Sequence, residues 1–250
     1  MSEYQYPKFL LFGDSITQRA FDQYPLPGIS TQLEFMLGPA LVGTYTRKMD
    51  ILQRGFSGYN SEWIKYLLPK ILEYEHDSKK EHENIKIAYL FIGTNDGRLP
   101  DSKQHVPTDR YEENLKEMVD LFLEKKIKLI IVAPGLHDAE KWYNFYPIDK
   151  EQKTGTDPKD LLKYSDVAVK VANEYKLPYI NMSQIMADSG IPLDELLCDG
   201  IHYTGKNYKL LFDNLLDTIK LNYPEYHPDN LKMRLPLWGE VVVEKLGSIE

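Results

Sequence analysis

The chain has 250 residues, 42% hydrophobic and 27% charged, which is enough apolar material for one soluble α/β domain without staples. A formal charge of −8 with no dense Lys/Arg block argues against nucleic acid or an anionic membrane as the main partner. A single cysteine excludes an internal disulfide framework, and the opening MSEYQYPK lacks a basic leader and an apolar stretch, so a cytoplasmic protein without membrane insertion is expected.

Five short β-rich apolar segments punctuate the chain, at 8–12, 49–53, 86–92, 127–132 and 178–182, and each is followed by a stretch of helical period. Strands alternating with helices imply parallel strands joined by crossovers, with both faces of the sheet covered. The first strand breaks at Gly13 into GDSITQ, which lifts Ser15 above the sheet edge at a helix start. Asp14 is expected to hold this turn, and Thr17 to cap the helix. After a Pro-punctuated loop at 21–28, Thr31 and Glu34 read as a capping box opening a helix that carries Leu33, Leu37, Leu41 and Tyr45. A second helix is expected after Tyr59, with Trp63, Leu67, Ile71 and Tyr74 at helical spacing, running into a solvated loop, HDSKKEHEN.

The segment from Asp109 to Lys125 has an apolar stripe of Tyr111, Leu115, Met118, Val119 and Phe122 against a charged opposite face. Another helix begins at Asp157, with Pro158 in its first turn and Leu161, Leu162, Ala168, Ala172 and Tyr175 along it. The last long helix follows Thr204 and carries Tyr208, Leu211, Phe212, Leu215, Leu216 and Ile219. Two stretches break the alternation. Residues 134–156, with Trp142, Tyr143, Phe145 and Tyr146, follow a strand's carboxyl end and read as a lid, a pocket wall or an ordered excursion packing its own aromatics. The tail at 223–250 has enough apolar content to pack on its own domain or on a second copy in a homodimer. No internal repeat or domain boundary interrupts 1–250.

Ligands of open α/β sheets bind beyond the carboxyl ends of the strands. Ser15, the QRGFSGYN segment, GTND and CDGIH all fall at such ends or shortly after them. Ester hydrolysis by a serine needs a base, an acid that holds the base in one tautomer, and donors for the oxyanion. His202 and Asp199, three residues apart, can supply the first two. Asn95, Gly58 and the Ser15 amide can supply the donors.

At these segments the chain resembles the SGNH or GDSL hydrolases. Four blocks match in order: GDSIT at 13–17, the glycine of FSGY at Gly58, GTND at 93–96 and DGIH at 199–202. More narrowly, TRKMDILQRGFSGYNSEW, DGIHYTGKNY and YPEYHPDN are similar to the isoamyl acetate-hydrolysing esterases within that family. The resemblance implies a three-layer α/β/α sandwich on a five-stranded parallel sheet, of flavodoxin-like form. It also implies Ser15 as nucleophile, His202 as general base oriented by Asp199, an oxyanion hole of Ser15, Gly58 and Asn95, and no metal or organic cofactor. The implied substrate is a small-molecule acetate ester of a small alcohol. A carbohydrate O-deacetylase, a lysophospholipase or thioesterase, and a non-catalytic binding module remain as alternatives.

Other residues could be drawn into chemistry. Ser57 lies in GFSGY, which fails G-x-S-x-G because Tyr59 stands where the last glycine belongs. Cys198 reads as a small buried residue beside the loop. None of His76, His82, His105, His137 and His227 has metal-ligand spacing, and HEN at His82 is not H-E-x-x-H. Arg54 and Asp96 read as polar braces near the site.

Overall fold

The computed structural model describes residues 5–23 and 33–243. Strand β1 (Lys8–Gly13) lies inside a parallel sheet, hydrogen-bonded to β2 (Asp50–Gly55) on one side and β3 (Ile85–Phe91) on the other. Beyond β3 follow β4 (Lys128–Ala133) and β5 (Tyr179–Asn181), giving the order β2-β1-β3-β4-β5. The chain therefore leaves β1 toward one edge and returns past it to build the other. That reversal, between β1 and β3, is where such sheets open a crevice for ligands.

The strands alternate between two cores, as a period of two requires. Phe9 and Leu11 of β1 and Ile87, Tyr89 and Phe91 of β3 face one way. Leu10 and Phe12, with Ala88 and Leu90, face the other. All are essentially inaccessible, and each large apolar side chain so buried is worth about 1.5–3 kcal/mol, so a one-residue slip in register would be ruinous.

Eleven α-helical segments occur among the described residues. A four-residue turn, α1 (Ser15–Gln18), follows β1, and α2 (Leu37–Thr44) leads to β2. Between β2 and β3 lie α3 (Ser61–Ile64) and α4 (Leu68–Leu72), then a π turn at Glu73–Asp77. Next come α5 (Thr108–Glu124), α6 (Ala139–Phe145), α7 (Pro147–Glu151) and α8 (Pro158–Glu174). The last three are α9 (Met182–Asp188), α10 (Leu193–Leu196) and α11 (Gly205–Asn222). Helices α2, α9, α10 and α11 cover the first face, and α3, α4, α5 and α8 the second. The result is the expected three-layer sandwich.

Several local expectations need correction. Thr31 lies outside the described residues. Glu34 is not a capping-box partner of α2, whose N-cap is Met36 without a side-chain bond. Its carboxylate instead accepts from the Gly205 N–H, where the positive end of α11 favours an anion. After Tyr59, one helix becomes three pieces, and the buried stripe is Ile64, Leu68 and Leu72, one residue out of phase with the expected one. Trp63 and Tyr74 are exposed. Two stripes at the same spacing compete here, and the aliphatic one wins the core because Asn60, accepting from Trp63 N at 3.0 Å, sets the phase of the turn. In α8, Leu162 is exposed and Tyr164 takes the inward place.

Residues 223–236 of the tail pack on their own domain. The Tyr223 hydroxyl donates to Leu129 O at 3.0 Å, and Tyr45 donates to Tyr226 O at 3.0 Å. The Arg47 guanidinium gathers the carbonyls of Arg234, Leu235 and Pro236. No described helix is long and apolar enough to cross a membrane.

Candidate active site

Ser15 is the first residue of α1, directly beyond the carboxyl end of β1, and is 5% exposed. The turn that presents it is held by Asp14, whose carboxylate accepts from Ile16 N at 2.9 Å. Asp14 is therefore the cap. Thr17 is not: it is fully buried within α1, and its hydroxyl accepts from Tyr89 at 3.2 Å. Burial pushes the Asp14 carboxyl up to about 7, against the Ile16 N–H, and the neighbouring Asp96 charge adds to the rise.

His202 approaches Ser15 from the loop between α10 and α11. Its Nε2 lies 2.9 Å from Ser15 Oγ, and its Nδ1 lies 2.7 Å from Asp199 Oδ2. A carboxylate there accepts a proton from Nδ1, which leaves the Nε2 lone pair facing the serine hydroxyl. The other oxygen of Asp199 accepts from Ile201 N at 3.1 Å and His202 N at 2.9 Å, so Asp199 and His202 are locked into one short loop. Burial alone would raise the Asp199 carboxyl, but the bonds from His202 and these amides outweigh it and hold the group at about 2.

Gly58 and Asn95 sit on the loops that follow β2 and β3, flanking β1 on both sides. The first loop is docked on the Ser15 turn: Phe56 N donates to Gly13 O at 2.9 Å, and Ser57 N to the Gln18 side chain at 2.8 Å. Gly58 takes φ +79°, a conformation that only glycine adopts freely. The Asn95 side chain donates to Tyr59 O at 2.8 Å, joining the two loops, and among the described residues its second amide N–H has no acceptor. Beneath it, fully buried Asp96 receives the Ser61 N–H at 3.0 Å and the Ser61 hydroxyl, while burial lifts its carboxyl to about 7. Asp96 is thus a brace of the site. Arg54 is not, since it pairs with Glu75 at 2.5 Å.

Residues 134–156 form α6 and α7 and pack against the base loop. The Trp142 ring centroid lies 6.3 Å from that of His202 and 4.2 Å from Tyr146, whose hydroxyl reaches Asp199 Oδ2 at 3.4 Å. Arg98 lies 5.0 Å over the Trp142 ring, and both side chains bond Asp149 Oδ2, Arg98 at 3.0 Å and Trp142 at 2.8 Å. This packing explains the glycine of DGIH: a Cβ on Gly200 would lie 2.3 Å from Asp138 O and 2.7 Å from Trp142 N. Gly200 O accepts from Asp138 N at 2.9 Å and bonds the His137 ring at 2.8 Å. Cys198 is half-buried, its thiol pushed up to about 12 by burial and the nearby Asp199 charge, which leaves no thiolate to act as nucleophile. Among the described residues no group of three His, Cys, Asp or Glu side chains converges as a metal site would.

The geometry can be set beside known proteins. The family model of the GDSL-like lipases/acylhydrolases matches residues 11–210. The isoamyl acetate-hydrolyzing esterase of Saccharomyces cerevisiae is 41% identical over 95% of this chain and 96% of its own. The chain belongs to the GDSL-like lipase/acylhydrolase family. It is accordingly a carboxylic ester hydrolase. The human isoamyl acetate-hydrolyzing esterase 1 homolog is 31% identical over 96% of this chain and 90% of its own. Among solved structures, a lipase/acylhydrolase from Enterococcus faecalis superposes with a TM-score of 0.62 at 22% identity, covering 92% of this chain and all of that one, which shows the GDSL fold.

Reading the sequence of this GDSL hydrolase singled out Ser15, Gly58, Asn95, Asp199 and His202, and these residues lie on adjacent loops at one sheet edge. It did not single out Gln18, Gln104 or the contacts of Trp142 and Tyr146 with the base loop. The aromatic density of 134–156 was the available signal for the last two. The glutamines carry no signal, being ordinary polar residues on an α1 end and a loop.

Proposed function

We propose that the protein hydrolyses short-chain esters, above all acetates of small alcohols, through an acyl-enzyme formed on Ser15. The observation that carries this reading is the unbroken relay from Ser15 Oγ through His202 to Asp199. The acetate preference is supported by two relatives, from Saccharomyces cerevisiae and Schizosaccharomyces pombe, both isoamyl acetate-hydrolyzing esterases.

His202 Nε2 takes the hydroxyl proton as Ser15 Oγ bonds to the ester carbonyl carbon, and the carbonyl π electrons move onto oxygen. Asp199, ionised and held at Nδ1, balances the imidazolium. The oxyanion is met by the Ser15 and Gly58 amides and the free N–H of Asn95. As the C–O bond to the alcohol breaks, the imidazolium protonates the departing alkoxide. Water then attacks the acetyl-serine, passing a proton to His202, and collapse of that intermediate returns it to Ser15 Oγ and releases acetate.

The test is labelling by a fluorophosphonate together with burst kinetics on a chromogenic acetate ester. Ser15 should carry the label, and Ser15→Ala should abolish both label and burst; a full burst in that variant ends the proposal. We read residues 1–250 as one cytoplasmic domain. We assign the tail at 223–250 to pairing between two copies, and the exposure of Trp238, 93%, supports this for its far end. A monomeric mass in solution would overturn the pairing.

A further inference from the structure

We propose that Gln104 is the positioning residue that sets the two oxyanion donors, Gly58 and Asn95, relative to each other; this rests on the esterase reading above. Its side-chain Nε2 donates to Gly58 O at 2.7 Å and to Asn95 Oδ1 at 3.2 Å. Both N–H groups of one amide are therefore spent on the two residues that arrive from different strands.

The orientation of both amides follows from what the carbonyls can do. Gly58 O and Tyr59 O can only accept, so the Gln104 atom facing Gly58 O must be nitrogen, and so must the Asn95 atom facing Tyr59 O. Asn95 therefore turns its oxygen to Gln104, and its Nδ2 keeps a second N–H for the substrate. Without the Gln104 donor, Asn95 Oδ1 loses its partner and the amide is free to rotate, taking that N–H with it. Gly58 is bracketed in the same way. Gln18 holds the preceding residue through Ser57 N at 2.8 Å, and Gln104 holds Gly58 O, so the Gly58 N–H between them has little freedom to turn.

Gln104 is itself fixed. Its carbonyl accepts from Asn60 Nδ2 at 2.8 Å, and its amide N donates to Ser102 Oγ at 3.2 Å. The next turn is pinned where Val106 N donates to Asp96 O at 3.2 Å, directly beside Asn95. Asn60 in turn caps α3 through its other amide atom. A chain of fixed polar groups thus runs from the helix start to the donors, as preorganised electrostatic stabilisation requires.

Gln104→Ala, Gln104→Glu, Asn95→Ala and the Asn95→Ala/Gln104→Ala double variant would be compared on p-nitrophenyl acetate, with thermal melts as a folding control. Gln104→Glu keeps the size but faces two acceptors with another acceptor. A misplaced donor should lower kcat about 10- to 100-fold in Gln104→Ala, at least as far in Gln104→Glu, with KM moved less than about twofold. In the Asn95→Ala background the same substitution should cost markedly less. An unchanged kcat in both Gln104 single variants, a loss confined to KM, or the same fold-loss in both backgrounds would overturn the assignment. Wild-type turnover in Ser15→Ala would instead overturn the esterase reading and this assignment with it.

Discussion

Tyr146 points its hydroxyl at Asp199 Oδ2 from 3.4 Å, the same oxygen that accepts from His202 Nδ1 at 2.7 Å. The two contacts differ in weight. A 3.4 Å hydroxyl bond is long, whereas the imidazole bond is short and holds the tautomer. Tyr146→Phe is therefore expected to lower kcat on an acetate ester by less than about tenfold, in line with one weak hydrogen bond. Asp199→Asn should cost about 10³- to 10⁴-fold, because it removes the acceptor that fixes the tautomer. Steady-state kinetics of the two variants side by side would check the ranking, and equal losses would contradict it.

Asn95→Ala deletes the proposed oxyanion donor while leaving Ser15, His202 and Asp199 in place. The expected outcome is a kcat loss of about 10²- to 10³-fold. Fluorophosphonate labelling of Ser15 should persist, more slowly, since the nucleophile and base are intact. Loss of all labelling would mean that the substitution had disturbed the nucleophile turn as well.

Two buried carboxyls give the fold a pH dependence of a definite sign. Asp14 and Asp96 are lifted to about 7 from 3.8, so the folded protein holds their protons where the unfolded chain has released them. Their contribution is complete below about 3.8, shrinks as pH rises, and is lost above about 7. Asp199, held at about 2, acts oppositely and loses its contribution only as pH falls below about 3.8. An Asn at position 14 can still accept from Ile16 N but carries no charge. Asp14→Asn should therefore gain on wild type by about 2–3 kcal/mol, or about 4–12 °C in Tm, between pH 5 and pH 8. Melting curves at the two values check this, and a constant gap would refute it.

Gly200→Ala should be costly on two counts. The residue sits at φ +102°, and an added methyl would strike the Asp138 carbonyl of the α6 segment. Destabilisation of about 2–4 kcal/mol is expected, with activity falling in parallel because Asp199 and His202 flank the glycine. A denaturant midpoint with kcat on the same preparation would measure both.

Much of this was legible in the residues themselves. Strand positions followed from runs such as Phe9 to Phe12, which are apolar on both faces because both sheet faces are covered. The five candidate positions lie in polar breaks at or shortly after strand ends, a pattern visible in the residues. The phase of α3 and α4 did not, because Trp63 and Ile64 head stripes of equal spacing and only the Asn60 cap decides between them. The role of Glu34 is hidden for a related reason: a carboxylate near one helix start serves another, and the Gly205 N–H lies 171 residues away in sequence. Gln104 could not be read at all, since its meaning lies in two carbonyl-bearing loops that meet only after folding.

The attachment of α6 to the base loop has a kinetic meaning. Gly200 O bonds Asp138 N and the His137 ring, while Lys141 Nζ donates to Leu197 O at 2.6 Å and Asp194 O at 2.7 Å. Swinging this edge outward would break those four bonds and strip Trp142 from His202, undoing the base that the substrate needs. These bonds favour residues 134–156 as a fixed wall over a gate. Turnover should then follow the making and breaking of the acyl bond and stay independent of solvent viscosity, as it would not if each cycle waited for a flap to open.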